Sequence, residues 1–179
     1  MQDTDLSSVC EIGFGVPQRY VRYLLQGKQT KRIVLADFEV SSIKFAQAVL
    51  SFWEELWKEK VSFLQFDMNN DDFPHEHETY ILQDSIEHAF DPTSTLRRFV
   101  SSINTSSNIL FSLPIEIENP IPEHHIYWKD ESQVIAWLES CGLMVSRYEV
   151  IAMDRKVDIF ARSLHRDFRE IVVQTKKGI

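Results

Sequence analysis

A chain of 179 residues and 21.0 kDa suits one domain built around a single core. Hydrophobic residues at 44%, charged residues at 26%, and only 5 glycines and 6 prolines exclude long disorder, collagen-like repeats and low-complexity architectures. The balance of 19 basic against 27 acidic side chains, −8 overall, argues against sequence-independent nucleic-acid binding. Cys10 and Cys141 stand far apart with no Cys-x-x-Cys, which excludes a disulfide scaffold and a thiolate zinc cage and fits a reducing compartment. The N-terminus is acidic and polar, unlike a signal peptide, and no apolar run approaches the roughly 20 residues a bilayer requires. The expectation is a cytoplasmic protein of one domain, 1–179, with neither nucleic acid nor membrane as partner.

The elements alternate. Residues 8–12 form a short strand that runs into Gly13-Phe14-Gly15. Pro17 then suits a first helical turn, with Tyr20, Val21, Leu24 and Leu25 at helical spacing behind it. Residues 32–36 are an apolar run ended by Asp37, read as a buried strand. Ser41 or Ser42 caps a long helix carrying Ile43, Ala46, Leu50, Trp53 and Trp57. A strand over 61–66 leads to Asp67, and the polar stretch 68–78 reads as a loop. A strand at 79–82 is followed by a helix opened by Asp91-Pro92, carrying Leu96, Phe99 and Ile103. The strand at 108–113 is closed by Pro114. A loop through Pro120 and Pro122 then leads to a helix over 131–140, stopped by Gly142. Strands near 144–151 and 170–174 close the chain, with a short helix or loop over 154–167 between them. Strands separated by helices predict an α/β fold with a mostly parallel sheet and an antiparallel pair of strands at one edge.

In such a sheet, ligands bind beyond the carboxyl ends of the strands, where the strand order reverses. The first strand ends in Glu11-Ile12-Gly13-Phe14-Gly15, where two glycines permit a tight turn and a close backbone approach. The second ends in Asp37, 22 positions beyond Gly15 and placed to accept hydrogen bonds from ribose hydroxyls. The third ends in Asp67, within reach of an adenine amino group. The fourth leads to Asp84-Ser85-Ile86-Glu87-His88. Four strand ends thus carry polar groups suited to an adenosine ligand. A dinucleotide dehydrogenase would place a third glycine where Gln18 stands.

Glu11-Ile12-Gly13-Phe14-Gly15 resembles the Glu-x-Gly-x-Gly opening of class I S-adenosylmethionine-dependent methyltransferases. Phe66-Asp67 through Asp71-Asp72-Phe73-Pro74 resembles their Asp…Leu-Pro-Phe stretch. Ile86-Glu87-His88-Ala89-Phe90-Asp91-Pro92 is similar to the Leu-Glu-His-x-x-Asp-Pro signature of the small-molecule subgroup. Ser112-Leu113-Pro114, His124-His125 and Cys141-Gly142-Leu143 match that subgroup's closing pattern. The resemblance is strongest over 8–150. It implies a Rossmann-like seven-stranded methyltransferase sheet, S-adenosyl-L-methionine as cofactor and a small-molecule acceptor. Cofactor-binding residues would be Glu11, Gly13, Gly15, Asp37, Phe38, Asp67, Met68 and Asp84. His88, His124 and His125 are the catalytic candidates, because a hydroxyl or amine acceptor needs a base that titrates near neutrality. Two departures stand out. Pro17 replaces the family's third glycine and lacks an N–H. The helical segment that usually precedes the first strand does not precede Ser8, which leaves three alternatives open: a fragment of a longer chain, a lid supplied by a partner chain or a second copy, or weak cofactor binding.

Each reading has a plainer rival. The plainer role for the glycines is a turn, for Asp37 a helix cap, for Asp67 a loop acid, for Glu87 and His88 support of the helix at Asp91, and for His124 and His125 an ordinary place on the surface. His75-Glu76-His77-Glu78 mimics a metal site but crowds its donors on one loop, so a solvated acidic loop is expected and no metal. The rival functions are a catalytically silent methyltransferase-like interaction domain and a nicotinamide-dependent oxidoreductase.

Overall fold

A computed structural model describes residues 4–16, 19–53, 57–116, 121–152 and 168–178. Pro17, Gln18, Pro120 and the segment 154–167 lie outside the described residues. The elements are β1 (Ser8–Ile12), α1 (Arg19–Gln26), β2 (Arg32–Asp37), α2 (Val40–Trp53), α3 (Trp57–Lys60), β3 (Val61–Gln65), β4 (Thr79–Gln83), α4 (Pro92–Ser102), β5 (Asn108–Glu116), α5 (Glu131–Ser140), β6 (Leu143–Ala152) and β7 (Phe168–Lys177), with a 3₁₀ turn over Ile86–His88. Among the described residues no helix is long and apolar enough to cross a membrane.

The strands form one seven-stranded sheet in the order β3-β2-β1-β4-β5-β7-β6. β1 to β5 run parallel, and β7 lies antiparallel between β5 and β6. The chain begins in the middle, steps outward through β2 and β3, and returns to the other side of β1 with β4, so the order reverses between β1 and β4. Alternation along the central strands sorts their side chains onto two faces. Cys10, Ile12, Val34 and Ala36 join Leu96, Phe99, Val134 and Leu138 of α4 and α5. Val9, Ile33 and Leu35 face Val21, Leu24, Ala46 and Leu50 of α1 and α2. Burial on both faces is why β2 reads as an unbroken apolar run.

The caps that start α4 and α5 are chemical. Asp91 Oδ1 accepts from Ser94 N at 3.0 Å with Pro92 in the first turn, and Asp130 Oδ1 accepts from Gln133 N at 3.0 Å. Three local expectations are corrected. α2 begins at Val40, so Ser41 and Ser42 sit within its first turn rather than capping it. The stretch 68–78 is not all solvated loop. Phe73 is buried with its ring 5.2 Å from those of Phe66 and Phe99, and His77 is buried with Nδ1 2.9 Å from Ser8 Oγ. β5 continues through Pro114 to Glu116. Ser112 O accepts from Asp84 N and Glu116 N donates to Trp128 O, so Pro114, in the same phase, turns its missing N–H toward ground that β4 has already left.

Candidate functional site

The ends of β1, β2 and β4 and the segment after β3 border a cleft of about 450 Å³, lined by Gly13, Asp37, Phe38, Asp67, Met68 and His88 among others. This is the switch point of the strand order, where an open α/β sheet presents ligand sites. The glycine turn is held by its neighbours. Gly13 has φ +71° and Gly15 φ +53°, both in the left-handed region, and Gly13 N donates to Ala36 O at 2.8 Å. A Cβ built on Gly13 would lie 2.5 Å from Ser85 Cβ, so a side chain there has no room, whereas one on Gly15 would meet nothing within 4 Å.

Asp37, only 7% exposed, is anchored at both oxygens. Oδ2 accepts from Gly15 N and Oδ1 from Glu39 N, each at 2.8 Å. The acid after β2 therefore ties the glycine turn to the start of α2 while still lining the cleft. Asp67 organises its own turn, with Oδ1 accepting from Asn69 N at 2.9 Å and Oδ2 from Asn70 Nδ2 at 2.7 Å. These bonds hold its carboxyl below the usual range. The Arg98 guanidinium donates to the carbonyls of Met68, Asn69 and Asp71 and so pins this turn to α4.

Glu11, Gly15 and Asp84 are not in the cleft lining. Glu11 lies on the α1 face of β1 beside the Tyr20 phenol, fully buried. Burial pushes its carboxyl up to about 8, with the Asp37 charge adding to the rise. Asp84 is exposed at φ +42°, its N–H donating to Ser112 O at 2.9 Å.

The three histidines converge. The His88 and His124 rings stand edge to face with centroids 4.7 Å apart. His124 Nδ1 lies 2.9 Å from Glu116 Oε2, with both side chains almost wholly buried. His88 Nδ1 lies 3.2 Å from Glu123 O. His125 donates its backbone N–H to Glu87 O, sets Nδ1 2.9 Å from Ala89 O and stacks on Phe90. Glu87 is 0% exposed and neither carboxylate oxygen has a hydrogen-bond partner. Ligand atoms of Glu87, His88 and His124 lie within 4.8 Å of one another. Burial, then the neighbouring His124, lowers the His88 pKa. Of the three histidines, only His88 lines the cleft. His124 is thus no surface residue, and Asp91, not Glu87 or His88, caps α4.

Sequence reasoning missed Glu116, Ser85, Asn69 and Phe90. Glu116 gave no local signal, since its pairing with His124 depends on where β5 ends. Phe90 sits inside the Glu-His-…-Asp-Pro element and was legible there as an exposed aromatic.

No family model and no curated protein matches the chain. Solved structures do. A candidate methyltransferase from Bacillus halodurans C-125 aligns over 98% of this chain and 94% of its own, with TM-score 0.73 and 15% identity. An O-methyltransferase from a trans-AT PKS multienzyme of Brevibacillus brevis, in complex with S-adenosyl-L-homocysteine, aligns over 96% and 67% with TM-score 0.70 and 12% identity. The fold is that of the class I methyltransferases. The methyltransferase fold does not by itself name a reaction: the [4+2]-cyclase SpnF shares it over 100% of this chain and 78% of its own, with TM-score 0.74 and 11% identity.

Proposed function

We propose that the protein is an S-adenosylmethionine-dependent methyltransferase acting on a small-molecule acceptor. The observation that carries this reading is the cleft at the reversal of strand order, with a left-handed glycine turn, a buried acid after β2 and an aromatic and an acid after β2 and β3 lining or bordering one space. The residues fit such a cofactor. The absence of a side chain at Gly13 keeps the cleft floor open against Ser85, whose buried Oγ has no partner. Gly13 and the turn beyond it would hold the methionyl part, Asp37 the ribose hydroxyls, and Phe38 with Asp67-Met68 the adenine. When bound, the cofactor supplies an electrophilic methyl group on a sulfonium. The chain's own contribution is orientation, which accounts for much of the acceleration of an in-line displacement. His88, which lines the cleft, would be the histidine that acts on an acceptor. Its lowered pKa keeps the imidazole neutral near pH 7, with one lone pair available to a proton or, in its place, to a cation.

A second reading, an interaction domain without methyl transfer, draws on Asp37, whose oxygens already serve Gly15 N and Glu39 N. Calorimetric titration with S-adenosylmethionine and S-adenosylhomocysteine separates the two. The first reading expects saturable binding that Asp37→Ala weakens by about 1–3 kcal/mol. No heat at millimolar ligand sinks it, and unchanged affinity in the variant removes Asp37 from the site.

A further inference from the structure

We propose that Glu87, His88 and His124 bind a first-row divalent transition cation at the edge of the cleft. The three side chains come from the 3₁₀ turn after β4 and from the segment that follows β5, and their donor atoms gather within 4.8 Å. Donors sharing one cation at bonds of about 2.0–2.2 Å stand up to about 4 Å apart, so the cluster closes onto an ion by shifts of well under about 1 Å.

The hydrogen bonds around the cluster already set the donors. His88 Nδ1 faces a carbonyl, Glu123 O, which can only accept, so Nδ1 carries the proton and Nε2 the lone pair. His124 Nδ1 faces the buried carboxylate of Glu116, which selects the same tautomer. A metal-binding imidazole ordinarily has this arrangement, one nitrogen on the ion and the other donating to a carboxylate or backbone carbonyl. Glu87 supplies the independent observation. It is 0% exposed and unpartnered at both oxygens, a state in which a carboxyl group either keeps its proton or exchanges it for a cation.

Two imidazole nitrogens and one carboxylate oxygen suit zinc, cobalt, iron or manganese rather than calcium or magnesium, which prefer oxygen donors. Three protein ligands leave positions open, and His88 directs the site toward the cleft. The class of ligand for those positions is an oxygen donor. That this is the acceptor's hydroxyl rests on the methyltransferase reading; cation binding does not. His125 is excluded from the set by its bond to Ala89 O, and the exposed His75 lies on another loop.

The test is Co²⁺ titration of the metal-free protein, without cofactor, followed by visible absorption and calorimetry. The expected result is a single equivalent bound with d–d bands. His88→Ala and Glu87→Gln should each weaken it at least about 10-fold, and Glu116→Gln about 10–100-fold, while His75→Ala leaves it unchanged. His88 is exposed, so its alanine variant keeps the fold, which far-ultraviolet circular dichroism verifies. Absence of stoichiometric Co²⁺ at millimolar concentration overturns the proposal, as does wild-type affinity in both His88→Ala and Glu87→Gln. Titration of the same metal-free protein with S-adenosylmethionine reports on the methyltransferase reading separately.

Discussion

Alanine at Gly13 and at Gly15 separates two physical costs that a glycine turn usually confounds. Both residues have positive φ, +71° and +53°, and an L-residue in that region loses about 1–2 kcal/mol. Alanine recovers about 0.4–1 kcal/mol by restricting the unfolded chain. Gly15→Ala adds no contact within 4 Å, so its net cost is about 0.5–1.5 kcal/mol. Gly13→Ala meets Ser85 Cβ at 2.5 Å, an atom next to the backbone of a buried residue that cannot swing aside. Overpacking of this kind adds about 1–3 kcal/mol, bringing Gly13→Ala to about 2–4 kcal/mol. The assay is urea unfolding followed by circular dichroism, with m-values compared to confirm that only stability changed. Combining Gly13→Ala with Ser85→Gly should return the overpacking part, leaving a coupling of at least about 1 kcal/mol. Equal costs at the two glycines, or additivity in the double variant, would refute the steric argument and with it the claim that Ser85 sets the floor of the cleft.

Two further outcomes are expected. Arg98→Ala removes the donor to three carbonyls of the 68–71 turn and should cost about 1 kcal/mol. Amide exchange should quicken at 67–72 and stay unchanged in α5; uniform quickening would show that Arg98 acts on global stability instead. Glu11, raised from 4.5 to about 8 in the folded protein, binds a proton there that the unfolded chain has released. Its contribution is therefore complete below pH 4.5 and lost as pH rises through about 8, at about 1.4 kcal/mol for each pH unit separating the two values. His77, lowered to about 4 by burial, acts in the opposite sense, losing its contribution as pH falls from 6.5. Glu11→Gln against wild type isolates the first effect: the stability difference should swing in the variant's favour between pH 5 and pH 8, and a pH-independent difference would refute it.

The legible parts of the fold were those where one residue type admits one physical role. β2 read correctly because a strand covered on both faces needs apolar residues throughout, and α4 because Asp91-Pro92 can do little other than begin a helix. The errors arose where the role depends on a neighbour distant in sequence. Pro114 ends a strand only if its missing N–H faces a partner, which depends on the length of β4. Phe73 and His77 lie in a polar stretch without periodicity, and only packing against Phe66, Phe99 and Ser8 makes them core. The candidate site divides in the same way. Gly13, Asp37 and Asp67 were marked by standing at strand ends, since topology alone sends every parallel carboxyl end to one edge. His124 and His125 had no such marker, and for Glu87 and His88 the strand end did not say which way the side chains face. Beside Asp91, Glu87 reads as a helix support, yet one 3₁₀ turn rotates it inward, into the buried side and toward His88 and His124. Residue type told what each group can bind; only the register of β5, which carries Glu116 past Pro114 to His124, decides which nitrogen is left to bind it.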